Sequence, residues 1–147
     1  MINLYNTTFE VSLRLIILLK AANKPLNIDK ITYFDFMSVY AKEFGLSDKN
    51  LNGENHYKYG EISAKRRSIT AALKRLVIDR FVKATVNSRG LVYSIDVIGK
   101  NYADSLDSEY AQEYKTAVQF VFSSFGDMDE KEISSIIKEK SNKERMR

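Results

Sequence analysis

The stretch ISAKRRSITAALKRLVIDRFVKATVNSRGLVYSI, Ile62 to Ile95, decides the fold. Its first half places Ile62, Ile69, Leu73 and Leu76 at helical spacing, and Ser63 is the expected cap of a helix ending near Arg80. Its second half changes period. Phe81 to Val86 and Leu91 to Ile95 are rich in β-formers, and Asn87 to Gly90 supply turn residues, so a β-hairpin is expected.

Two helices precede it. Thr7 or Thr8 can cap a first helix running to about Ala22, where Asn23-Lys24-Pro25 breaks it. That helix is apolar almost all round, with Phe9, Leu13, Ile16 and Ile17 on one side and Leu15, Leu18 and Leu19 on the others. Such a helix is buried on both faces, or is buried on one and covers a partner with the other. Asn27 caps a second helix, Ile28 to about Phe44, striped by Tyr33, Met37, Tyr40 and Phe44. Between it and the basic helix lies GLSDKNLNGENHYKYG, Gly45 to Gly60, far longer than the usual connection of about four to six residues.

Helix, helix, helix, hairpin is a winged-helix order. The expected class is mainly α with a small β-hairpin (α+β): a winged helix-turn-helix-like domain over 1–106. A C-terminal helical extension follows over 107–140, carrying Tyr110, Tyr114, Ala117, Val121 and Phe125 and then Ile133, Ile136 and Ile137, with a frayed tail at 141–147. The length of 147 residues suits one domain with a real core.

Composition excludes several chemistries. There is no cysteine, hence no disulfide, thiol nucleophile or Cys-based metal site. The longest apolar run, Leu15 to Leu19, is far short of the roughly 20 residues that span a bilayer, and the N-terminus lacks a basic signal region, so a cytoplasmic protein is expected. The lone histidine, His56, has no nucleophile motif and no second histidine beside it, and is read as a solvated or locally hydrogen-bonded side chain. No phosphate-binding GxxxxGK[ST] and no GxGxxG occur, and the carboxylates lack hydrolase spacing. No enzyme and no cofactor are expected.

Charge is unevenly spread. From Glu61 to Arg89 eight Lys/Arg face only Glu61 and Asp79, which gives +6; from Asn101 to Glu139 nine Asp/Glu face three Lys, which gives −6. Two partners of opposite preference fit such a chain. With Ile69 at the centre of the buried face, Arg67, Thr70, Ala71 and Lys74 point outward, as in a row that could enter a major groove, and Arg89 at the hairpin tip can reach a phosphate. Arg66 and Arg80 fall nearer the apolar side. They are expected to pair with acids such as Asp35 or Glu61. The long loop counts against operator reading, because a helix-turn-helix joins its helices by about three or four residues.

An ordered set of motifs carries a family resemblance. YNTTFEVSLRLIILL resembles an "NTPLE-x-x-LR-apolar" start, and IDKITYFDF, Ile28 to Phe36, resembles "LvyLDYf". LNGENH, Leu51 to His56, sits where "PeSLHP" is expected, with Tyr57 in place of the final Pro. YKYGEISAKRRSITAALKRLVIDRFV resembles "Y-x-x-GE-x-x-x-RR" followed by an apolar helix. Together they resemble the type 2 middle components of ABC three-component systems, over residues from about Tyr5 to Leu106. The resemblance implies a system made of an SMC/Rad50-like ATPase, a small middle component and a variable effector, often a nuclease, acting against phage and plasmids as in Lamassu defence. It implies a non-catalytic scaffold that bridges ATPase heads and effector; the basic helix adds a face expected to contact double-stranded DNA non-specifically. The competing reading is a free-standing winged-helix transcriptional regulator that binds an operator as a homodimer.

Overall fold

The computed structural model describes residues 7–53, 55 and 57–145. The chain is mostly helical, with one antiparallel hairpin, an α+β arrangement. The order is α1 (Thr8–Ala22), α2 (Ile28–Val39), α3 (Ile62–Ile78), β1 (Val82–Asn87), β2 (Gly90–Ile95), α4 (Val97–Ser105), α5 (Glu109–Phe125) and α6 (Glu130–Arg145).

Local chemistry sets the helix ends. The Thr7 hydroxyl accepts from the Glu10 N–H, and the Asn27 side chain accepts from the Lys30 N–H, so α1 and α2 begin where cap residues stand. Asn23 ends α1 in the left-handed region at φ 51° and donates its N–H to the Leu19 carbonyl. The second helix is shorter than expected. It ends at Val39, and a 3-10 turn over Ala41–Phe44 carries the chain on to Gly45 at φ 72°. Ser63 is no cap: a 3-10 turn over Lys58–Glu61 leads straight into α3, one residue earlier than the cap signal.

α1 is the central element. Val11 and Arg14 through Leu19 are all buried, against α2, α3, α4, α5 and β2. Its apolar surface from Val11 to Leu19 is therefore largely covered by this chain itself, whereas Phe9 in the first turn is exposed. α5 packs along both α1 and α2 with Tyr114, Val118 and Val121 buried, and Phe34 of α2 meets Phe122 of α5 edge-on at 4.9 Å. Such a ring pair adds about 0.5–1.5 kcal/mol beyond its burial. The break at 106/107 thus falls in the turn between α4 and α5, and α5 belongs to the same core as the first three helices. α6 adds Ile133 and Ile137 to that core. It runs to Arg145, so residues 141–145 are helical.

The hairpin register is Val82↔Ile95, Ala84↔Tyr93, Val86↔Leu91 and Asn87↔Gly90, closed by Ser88 and Arg89. The Asn87 side chain accepts the Arg89 N–H, and Gly90 sits at φ 114°, where a side chain would be strained. Leu26, between α1 and α2, exchanges both backbone hydrogen bonds with Tyr93 at 2.9 and 2.8 Å. That bridge fixes the root of the hairpin to the helical body.

The long connection is stapled down. Asn50 is buried, accepting from the Lys42 N–H and donating to Glu43, and the Leu51 N–H reaches the Val39 carbonyl at 2.9 Å. Asn52 accepts from the Tyr110 hydroxyl of α5 at 2.9 Å. His56 lies outside the described residues.

Candidate functional site

Two sets of charged residues stand out, one inside and one outside, and α3 carries both. The inner set centres on Asp35, fully buried in α2. Its carboxylate accepts four hydrogen bonds: Arg14 Nε at 3.0 Å and Tyr114 hydroxyl at 2.6 Å on Oδ1, Lys65 Nζ at 2.9 Å and Arg14 Nη2 at 3.4 Å on Oδ2. That fills the acceptor capacity of a carboxylate. The donors come from α1, α3 and α5, so one side chain ties four helices together.

Burial alone would push the Asp35 carboxyl up, but the Arg14 and Lys65 charges outweigh it and hold the group well below the usual carboxylate range. Burial likewise works against the charge on Arg14, and Asp35 reverses the balance, raising it further. The Tyr114 phenol is raised by burial and by the adjacent Asp35 charge, so it stays neutral and donates. The result is an anion between two cations in a dry interior.

This placement corrects the helical-wheel reading. Lys65 is the inward cation of α3, not Arg66. Arg66 is exposed and pairs with Asp29 at 2.8 Å, across to the first turn of α2. Arg80 does not lean inward either: it lies exposed beyond the end of α3, at φ 67°. Asp35 is the buried acid that was expected, with Arg14 and Lys65 as its cations. Glu61 pairs with neither arginine; it accepts from the Tyr40 hydroxyl and from Asn55.

Because Lys65, Ile69, Ala72, Leu73 and Leu76 face inward, Arg67 and Lys74 stand on the opposite side of α3 in solvent. Thr70 is half-buried and donates its hydroxyl back to the Arg66 carbonyl. Arg75 is occupied by Asp79, one turn on. Arg89 lies exposed in the hairpin turn. Among the described residues, Arg67, Lys74 and Arg89 have no carboxylate partner. What such cations can do is bind phosphates or acidic protein surface.

Residues that sequence reasoning missed are Arg14, Lys65, Tyr114 and Lys58. Lys58 is buried in the loop between Glu43 at 3.5 Å and Glu144 of α6 at 3.1 Å. The signal for Arg14 was a charge set between Leu13 and Leu15 in the apolar middle of α1. Among the described residues no cluster of three His, Asp or Glu could hold a metal, and no helix is long and apolar enough to cross a membrane.

Comparison with curated proteins and with solved structures finds no match. A family model does match, over residues 4–147, nearly the whole chain: the protein belongs to the ABC-three component (ABC-3C) system Middle Component 2 family.

Proposed function

We propose that this middle component is the non-catalytic adaptor of its system, a cytoplasmic subunit joining the heads of an SMC-like ATPase to a nuclease or other effector. The observation that carries this reading is the division of the surface. Arg67 and Lys74 on α3 and Lys83 and Arg89 on the hairpin have no carboxylate partner among the described residues, while the acidic residues concentrate in the C-terminal third. An adaptor needs two chemically distinct faces, and the buried Asp35 cluster gives it a rigid body between them.

The winged-helix reading is supported by the three helices followed by a hairpin, and by the Leu26–Tyr93 bridge at the hairpin root. Arg67, Thr70 and Lys74 on α3 are the residues that would meet double-stranded DNA, through phosphates and without base reading. A free-standing operator-binding regulator is the weaker reading, because residues 40–61 separate α2 from α3 where a helix-turn-helix has a short turn.

Pairwise co-expression with each of the other two components of the system tests the adaptor role. Co-elution with both, in separate pairs, is expected at low salt. Co-elution with neither would sink it, and footprinting of a preferred palindrome would favour the regulator instead.

A further inference from the structure

We propose that the tip of the hairpin is a plug that enters an apolar recess with an acidic rim on a partner subunit. This rests on the adaptor reading and says which element docks and what it docks against.

The argument starts from strand alternation. Val82, Ala84 and Val86 share one face of the hairpin with Ile95, Tyr93 and Leu91, their register partners. At the root, Val82 and Ile95 are buried and close the core. A strand that only served the core would become polar where it leaves the body. Here the apolar face continues to the tip, where Val86 is 79 % exposed and Leu91 47 %. The other face carries Lys83, Thr85 and Asn87 on β1 and Val92 and Ser94 on β2, of which Val92 is buried. An aliphatic cross-strand pair left largely in solvent at the end of a bridged hairpin marks a contact site.

Charge decides what covers it. From Arg80 to Ile95 the sequence contains no Asp or Glu, yet it carries Arg80, Lys83 and Arg89. None of these three has a carboxylate partner among the described residues. A recess lined by apolar side chains and rimmed by Asp or Glu is complementary on both counts. A DNA duplex satisfies the cations but leaves the Val86–Leu91 pair without an apolar partner, since phosphate contacts are made by polar and cationic groups. The hairpin is therefore the protein-docking element, and Arg67 and Lys74 on α3 remain for phosphates.

The test uses the full chain co-expressed with the other two components of its system, tagged for recovery. Val86→Glu/Leu91→Glu should lower the recovery of one component about tenfold, a change of about 1.4 kcal/mol. Both side chains are exposed, so the melting curve should not move. Val86→Thr/Leu91→Thr puts strand-favouring β-branched residues at both positions while adding hydroxyls, and should weaken recovery in the same direction. Lys83→Glu/Arg89→Glu should lower recovery of the same component. Assembly of the Glu variant at wild-type level would overturn the proposal, as would a loss confined to binding of a DNA duplex in fluorescence anisotropy. If the wild-type chain recovers neither component, the adaptor reading itself fails and the docking assignment falls with it. Wild-type assembly that ignores the hairpin variants removes only the docking assignment.

Discussion

Asp35→Asn is the substitution with the sharpest expected effect on the fold. The side chain keeps its size and one acceptor oxygen but loses its charge, leaving the Arg14 guanidinium and the Lys65 ammonium facing each other, 1 % and 8 % exposed. Removing one partner from a buried ion pair costs about 3–5 kcal/mol, because the remaining charges are stranded away from water. Domains of this size hold only about 5–15 kcal/mol in total, and each kcal/mol lowers the midpoint by about 2–4 °C. A fall of roughly 6–20 °C in a circular-dichroism melt follows. Arg14→Met should cost less, since Asp35 keeps Lys65 and Tyr114, and Lys65→Met least, since it removes one of four hydrogen bonds. Replacing Arg14, Asp35 and Lys65 together by Met, Leu and Met should recover much of the loss, because the desolvation cost leaves with the charges. The pH dependence has a definite sign. The folded-state carboxyl of Asp35 lies below its ordinary value of 3.8, so its contribution is present above about pH 4 and is lost as pH falls through the folded-state value. The gap between wild type and Asp35→Asn should therefore narrow below about pH 4. A variant that melts within about 2 °C of wild type at neutral pH would refute the reasoning, since no buried charge could then have been stranded.

Three further outcomes are expected. Gly99→Ala in α4 should destabilise by about 1–3 kcal/mol in a denaturant titration, although Gly to Ala inside a helix ordinarily stabilises by about 1 kcal/mol. The added Cβ would lie 2.2 Å from the Phe81 carbonyl oxygen and 2.6 Å from Ile95 Cδ1. Arg67→Glu/Lys74→Glu should abolish or strongly weaken duplex binding in anisotropy, while the single Arg67→Ala should lower the salt slope of log K by about one. Glu144→Lys removes one of the two carboxylates that hold the buried Lys58, and should raise hydrogen exchange in the last turns of α6 while leaving α1 protected.

How much of this was legible in the sequence differs by element. The hairpin was, because β-formers flanking Asn87 to Gly90 leave few alternatives, and so were the starts of α1 and α2, where Thr7 and Asn27 stand as caps. The outward row Arg67 and Lys74 also followed from the helical period. Its inner side did not. Lys65 lies four residues before Ile69 and so shares its face, but lysine and arginine are both seldom buried, and no local pattern says which cation of α3 meets Asp35. Arg80 was placed by extending the helical period past Ile78, where the backbone leaves the helix and turns to φ 67°. Arg14 was visible as an oddity in an apolar helix, but its acceptor is 21 residues away and Tyr114 a further 79 beyond Asp35, separations that no local pattern encodes. The loop was legible in length only. That Asn50 and Asn52 staple it to Lys42 and Tyr110 depends on tertiary contacts.

The most direct measurement of the bridging role is three-way recovery on a tagged ATPase subunit, with and without this chain. If the middle component joins ATPase to effector, the effector is recovered only when the chain is present, and the complex elutes as one species at low salt. Recovery of the effector at the same level without the chain would contradict bridging.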